Sequence, residues 1–358
     1  HRYGRRQRQM CIRDRTISAA QVSDLISNPS SISGYSASGP IIITGAITYT
    51  QANSLNAVDA TYIQATISET TVANLSGIAV NNSSRASLNK FSMVLSDTSA
   101  TAAELTAVQA LTSVSVDATN ITAIESSSAE DITALFTATT VPTGASADPI
   151  TVSDTTISAT TLNAIDGYTT GAVTATAATT ITGPVADILT AMSSAGITDN
   201  ADVAVTVTDT TVDAADLNDV DGLTSGVVTC SNATTLTGID TEVEAALTAN
   251  ASVDGDGNKD EIDGLDAVNV TLDDPDTAGT QSYAVEEIRD IIDLTTGVVT
   301  ATVTEGTIAA LTANDGTGLH GTSGNALTIT VTNDDGTAAN LLAIDGYTTE
   351  TVTVDPTG

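Results

Sequence analysis

Tryptophan is absent from this chain, and aromatic residues make up only 3% of its 358 positions. A core must therefore be assembled from Val, Ile, Leu and Ala, without large aromatic anchors. Positive charge is almost as scarce: ten Lys and Arg stand against 44 Asp and Glu, a net charge of −34. Six of the ten are Arg2, Arg5, Arg6, Arg8, Arg13 and Arg15, so beyond residue 15 four bases face 43 acids, a balance of −39. A field of that sign opposes binding to nucleic acid and to anionic membranes, and favours hard cations such as calcium. Two cysteines, Cys11 and Cys230, cannot make a disulfide framework. The only histidines are His1 and His320, and no G-x-S-x-G elbow, P-loop, H-E-x-x-H or C-x-x-C occurs, which leaves catalysis without a recognisable nucleophile or base. No apolar run reaches the ~20 residues of a membrane span.

What the chain has is repetition. Residues 151–183, TVSDTTISATTLNAIDGYTTGAVTATAATTITG, return 55 residues later as 206–238, TVTDTTVDAADLNDVDGLTSGVVTCSNATTLTG, with 19 of 33 positions identical. The signature AIDGYTT of Ala164–Thr170 reappears unchanged at Ala343–Thr349. Self-similarity at a fixed spacing marks a repeat array, in which each unit buries its apolar face against its neighbours. In phase with it, 41% of residues are hydrophobic, which argues against an acidic disordered chain. Cys230 aligns with Ala175 of the preceding copy and reads as a small buried residue.

Five segments follow from composition. Residues 1–15, HRYGRRQRQMCIRDR, match nothing that follows; they resemble translated sequencing-adapter sequence of metagenomic assemblies, with a basic nucleic-acid-binding arm as the rival reading. Residues 16–40 are Ser-rich with Pro29, Pro40, Gly34 and Gly39, and read as an irregular lead-in. Residues 41–141 hold degenerate repeats, in which Leu55–Asp59 matches Leu162–Asp166 and Leu217–Asp221 in the pattern L-N-x-[IV]-D. Residues 142–149 read as a surface connection, and 150–358 as clear repeats stopping inside a strand-like run, as in a piece of a longer array.

Strand and helix patterns alternate. Val203–Thr208, Val298–Thr304, Leu327–Thr332 and Thr351–Val354 have period-2 spacing and β-branched residues. Thr182-Gly183-Pro184 is a helix start, with Val185, Ile188, Leu189 and Met192 expected on one face; Val285, Ile288 and Ile292 mark another. Gly167, Gly222 and Gly346 are expected to close the short LNAID-type helices at their C-caps. Strands joined through helices pair in parallel with right-handed crossovers. The fold class predicted is an α/β solenoid, a right-handed repeat array of short parallel strands alternating with short helices, with threonines lining the uncovered face. Tandem β-sandwich modules are the alternative.

Three features invite a chemical reading. The T-x-T pairs Thr174/Thr176, Thr206/Thr208, Thr300/Thr302 and Thr328/Thr330, stacked at ~4.8 Å, would make a grid of hydroxyls and methyls similar to the ice-binding face of threonine-rich antifreeze β-helices. Threonine is also simply a good exposed strand residue. The loop Val253–Asp266 places Asp254, Asp256, Asn258, Asp260 and Asp263 at spacings that wrap a hard cation, although Lys259 and Leu265 stand where an EF-hand loop needs Gly and Glu. Asp273, Asp274 and Asp276 form a weaker candidate. Third, Asp59, Asp166, Asp221 and Asp345 recur at helix C-terminal ends, where a carboxylate is unfavourable, and are expected to accept N–H bonds from the next coil, with shared calcium sites as the other reading. Asp315, His320 and Ser323 share one Gly-rich loop, but a triad is a spatial arrangement.

The repeats quoted above, with TGPVADILTAMSSAGIT, resemble arrays in giant secreted or cell-surface proteins of cyanobacteria and marine bacteria, described as adhesin-like or hemolysin-type calcium-binding proteins. The resemblance covers about residues 41–358 and lacks the calcium-binding nonapeptide. It implies an extracellular, calcium-loaded stalk or surface layer. The function expected is a non-enzymatic structural or adhesive array, a rigid spacer stabilised by calcium. Its expected partners are cell-surface or matrix components, polysaccharide included, and neighbouring repeats of a longer chain. An ice- or polysaccharide-binding threonine face is the alternative.

Overall fold

The computed structural model describes residues 15–27, 40–56, 62–79, 88–251, 261–273, 281–313, 318–319, 321–332 and 337–355. The chain divides into two compact units, residues 1–154 with 165–174, and residues 155–164 with 175–358.

In the first unit, strands Arg15–Ser18, Ile41–Ile47, Ile63–Ile67 and Lys90–Ser92 pair in that order, all parallel. Strands Ser99–Ala100, Ala123–Ser127, Ile150–Val152 and Val173–Thr174 pair likewise. Between successive strands the chain crosses over through helices such as Tyr49–Leu55, Val72–Leu75, Ala102–Gln109 and Ala129–Thr137. In the second unit one parallel sheet joins Thr156–Ser158, Thr180–Gly183, Ala204–Val207, Val228–Thr229 and Ile262–Asp263. Another joins Thr211–Asp213, Thr235–Gly238, Asn269–Leu272, Val299–Thr302 and Ala326–Thr328, and a pair joins Thr330–Val331 to Thr353–Val354. Its helices are the first part of Ala159–Tyr168, then Val185–Ser193, Ala214–Asp221, Asp240–Ala251, Val285–Leu294, Ile308–Leu311 and Ala338–Asp345. The architecture is α/β: alternating parallel strands and helices in several parallel sheets. Antiparallel sandwich modules, the alternative above, do not form among the described residues, because each strand is joined to its partner through a crossover.

Residues of one kind stack in register. Ile157 faces Ile181, Ile181 faces Val205, and Val205 faces Val228, all buried; one position along, Ser158, Thr182, Thr206 and Thr229 form the outer row. The period-2 alternation in the sequence is thus an inside–outside alternation, with small β-branched residues filling a narrow core. Helices add a stripe at three-residue spacing: Ala159, Leu162 and Ile165; Val185, Ile188 and Ala191; Ala214, Leu217 and Val220; Val285, Ile288 and Ile291. This corrects the expected inward positions, since Leu189, Met192 and Ile292 are only half-buried. A helix of three turns that touches the sheet along one narrow line needs a single row of contacts, not the wider stripe of a bundle helix.

Three further expectations change. Residues 16–27 are not irregular: Ile17 lies in a strand paired with Ile41–Thr44, and Val22 and Leu25 are buried in a helix whose approach carries a Ser18–Gln21 capping box. Residues 142–149 are woven into the first unit, with Thr143 N–H donating to the Val116 carbonyl (2.8 Å) and Ala145 fully buried. Gly222 and Gly346 are the C-caps of their helices, in right-handed geometry with φ −66° and −72°, whereas Gly167 lies within its helix and does not close it.

Candidate functional site

The repeated signature residues turn towards the neighbouring coil. In the turn T-[TS]-G that follows a helix, the first threonine is buried (Thr169, Thr295) or half-buried (Thr224) and bridges two backbones. Thr295 Oγ1 donates to the Val268 carbonyl (2.8 Å) and accepts from Gly297 N–H (3.0 Å). Thr224 does the same with Val203 (2.6 Å) and Gly226 (2.9 Å), and Thr169 with Asp148 (2.6 Å) and Gly171 (2.9 Å). The glycine is fixed by space: a Cβ at Gly171, Gly226 or Gly297 would lie 2.5, 2.4 or 2.0 Å from backbone atoms of the preceding coil. A second threonine row, Thr122, Thr179 and Thr234, caps the carbonyls of Thr98, Thr155 and Thr210 at 2.9–3.0 Å. The asparagine of L-N-x-[IV]-D reaches the helix that follows: Asn163 Nδ2 donates to the Asp187 carbonyl and Asn218 Nδ2 to that of Glu242, both at 2.9 Å. Exposed-looking polar residues are therefore the mortar of the array, satisfying backbone groups between coils.

The T-x-T residues do not form one grid. Thr174 faces Thr151 in the first unit; Thr206 stands between Thr182 and Thr229; Thr300 stands between Thr271 and Ala326; Thr302 faces Thr328; Thr330 faces Thr353 in a separate two-stranded sheet. Thr176 and Thr208 are exposed just beyond strand ends, and Thr208 donates its N–H to the Gly183 carbonyl (3.0 Å). Of these residues Thr300, Thr302 and Thr328 come together with Thr271 on one sheet face.

Of the acidic loop, Asp254, Asp256, Asn258 and Asp260 lie outside the described residues, as do Asp59, Asp274, Asp276, Asp315 and His320. Asp263 is half-buried on its strand beside Thr229, and its carbonyl accepts the Cys230 N–H (2.7 Å). Among the described residues no group of three or more His, Cys, Asp or Glu is spaced to hold a metal ion, so a calcium site rests on the loop itself. Burial, with Asp263 and Asp209 nearby, pushes the Cys230 thiol up to about 12, which keeps it a protonated core residue.

Of the Asp residues repeated at helix C-terminal ends, Asp221 is not an inter-coil cap. Asp166 and Asp221 are half-buried and Asp345 is exposed, and the Asp221 carboxylate accepts no backbone N–H among the described residues. Asp221 instead borders an open groove of about 580 Å³ with Asn218, Thr241, Glu244, Thr248 and Glu261, and its carboxyl is held above the usual range by burial and by Glu261. Inter-coil caps come instead from an acid a few residues past a strand end. Asp97 Oδ2 accepts from Val72 N–H (2.8 Å), Asp154 Oδ2 from Ala129 (2.7 Å), Asp209 Oδ2 from Val185 (2.8 Å), Glu69 Oε2 from Tyr49 (2.9 Å) and Glu305 Oε2 from Val285 (3.0 Å). The signal is present as the recurring V-[ST]-D-T of 152–155 and 207–210, but an acid between a strand and a helix does not show which helix it serves.

One carboxylate is an exception to this economy. Asp148 is 7% exposed, and its Oδ2 has no hydrogen-bond partner. Burial raises its pKa, so the folded chain holds this proton more tightly than the unfolded chain does. Stability is then greatest below the unfolded value near 3.8 and declines as pH rises through the folded value. Asp148→Asn is expected to raise the melting temperature at pH 7, with the gain gone by pH 3; thermal scans across that range check it.

No helix among the described residues is long and apolar enough to cross a membrane. Compared with known proteins, the chain matches no protein-family model, no curated protein and no solved structure.

Proposed function

We propose that the chain is a non-enzymatic structural or adhesive repeat array, a right-handed α/β solenoid that acts outside the cell as a rigid spacer or stalk. The observation that carries this reading is the use made of the repeated signature. In arrays that bind through their repeats, the recurring residues point at the ligand. Here the recurring Thr, Gly, Asn and Asp point at the neighbouring coil, which makes architecture what the repeat encodes. The strongly acidic surface keeps such a stalk soluble and repels anionic surfaces. Duplicating residues 151–205, one 55-residue period, is expected to lengthen the particle by about 10 Å, two strand spacings. Small-angle scattering reads this directly. Growth by a whole domain diameter, or as a flexible chain, would reject the spacer.

Calcium belongs to the same proposal through Val253–Asp266. Millimolar calcium is expected to raise the melting temperature and excess chelator to reverse it, since a ligand bound only by the folded state stabilises it. Changing Asp254 and Asp256 to Asn should abolish the shift; a shift that survives places the ion elsewhere. The second reading, a polysaccharide- or ice-binding face, has its best support in the Thr271, Thr300, Thr302 and Thr328 cluster. Retardation on immobilised polysaccharide, lost in the fourfold alanine variant, would favour it.

A further inference from the structure

Helices of the second unit start in two ways. Helices Ala159–Tyr168 and Ala214–Asp221 supply their own caps: Ser158 Oγ accepts from Thr161 N–H (3.1 Å), and Asp213 Oδ1 accepts from Ala215 (3.0 Å) and Asp216 (3.4 Å). The coil that follows each brings a glycine against the helix start. A Cβ on Gly183 would meet that of Ala159 at 3.4 Å, and one on Gly238 that of Ala214 at 3.2 Å, and both glycines have positive φ (+153° and +146°). An acidic side chain has no place there.

Helices Val185–Ser193 and Val285–Leu294 are the reverse. Their N-cap residues are Pro184 and Ala284, which offer no side-chain acceptor to the first turn. The acceptor arrives from the following coil, as Asp209 on Val185 N–H (2.8 Å) and Glu305 on Val285 N–H (3.0 Å). Each acid is anchored by its predecessor, since Thr208 N–H binds the Gly183 carbonyl (3.0 Å) and Thr304 N–H binds that of Tyr283 (2.9 Å). A carboxylate on the exposed N–H of a helix start makes a charge-assisted bond that the helix dipole strengthens.

We infer that Asp209 and Glu305 are caps acting backwards, each completing the helix of the coil before it, so that the array has a direction: a helix depends on the coil that follows. The inference rests on contacts between coils and stands whether or not the array is an extracellular spacer.

Native-state hydrogen exchange on the full chain tests it. Asp209→Ala is expected to speed exchange about tenfold in the first turns of 185–193 while leaving 214–221, the helix nearest in sequence, unchanged. Asp209→Asn, which keeps a neutral acceptor, should give a smaller effect in the same place and remains informative if the alanine variant fails to fold. Asp213→Ala is the opposite control and should loosen 214–221. Faster exchange in 214–221 for Asp209→Ala, equal acceleration of every helix of the unit, or no change in 185–193 would each overturn the inference.

Discussion

Gly297→Ala is expected to destabilise the second unit by about 3 kcal/mol or more, at the upper end of overpacking penalties. The added Cβ would lie 2.0 Å from the Val268 oxygen and 2.4 Å from its carbonyl carbon. No rotamer can relieve this, because both partners are backbone. The carbonyl cannot withdraw without cost either, since it accepts the Thr295 hydroxyl at 2.8 Å. Moving it would leave a buried hydroxyl without its acceptor. Gly167 supplies the contrast. It lies within helix Ala159–Tyr168, and nothing stands within 4 Å of where its Cβ would be. There alanine should stabilise by about 0.5–1 kcal/mol, the ordinary helical preference. Urea denaturation midpoints of the two variants should therefore move in opposite directions, although both glycines belong to the repeated pattern. Equal losses would mean that conformational freedom, not coil-to-coil distance, fixes these residues.

That contrast shows where the sequence was readable. Period-2 alternation at Val203–Thr208 and the β-branched runs gave the strands, because a side chain's face in a strand depends only on its own position. The parallel α/β class followed from alternation of strand and helix. What could not be read was which polar residue serves which coil. Asp221 reads as an inter-coil cap because the residue recurs at helix ends. Asp154 and Asp209 carry no such mark, since each stands between a strand and a helix, outside that helix's first turn. Only pairing at a separation of 24 or 25 residues, Asp209 with Val185 and Asp154 with Ala129, reveals that they act on the preceding helix. The threonine grid failed for a related reason. T-x-T recurs on strands that belong to different sheets, so Thr206 and Thr300 share a motif without sharing a face. Meanwhile the less conspicuous Thr169 and Thr295 make buried bonds, and Thr224 a part-buried one.

Ile181→Ala is expected to cost about 3–4 kcal/mol, and Thr206→Ala, on the outer row of the same sheet, only about 0.5 kcal/mol. Ile181 is fully buried between Ile157 and Val205, themselves buried, beneath helix Val185–Ser193. A core of small β-branched side chains, with no aromatic ring to slide into the gap, collapses poorly around a cavity, which puts the loss at the upper part of the large-to-small range. In an array the loss also spreads, because the ladder that Ile181 completes is the interface between three coils. Thr206 presents its methyl and hydroxyl outwards between Thr182 and Thr229, half-buried. Removing it takes away one cross-strand contact and some strand preference, with no cavity formed. Thermal or urea unfolding of both variants measures the difference. A ratio of several-fold means the outer threonine row is free of structural duty and available for contact with another surface. Comparable losses would instead assign that row to holding coils together, as Thr179 and Thr234 do through the carbonyls of Thr155 and Thr210, and would leave the array with no repeated surface for a partner to read.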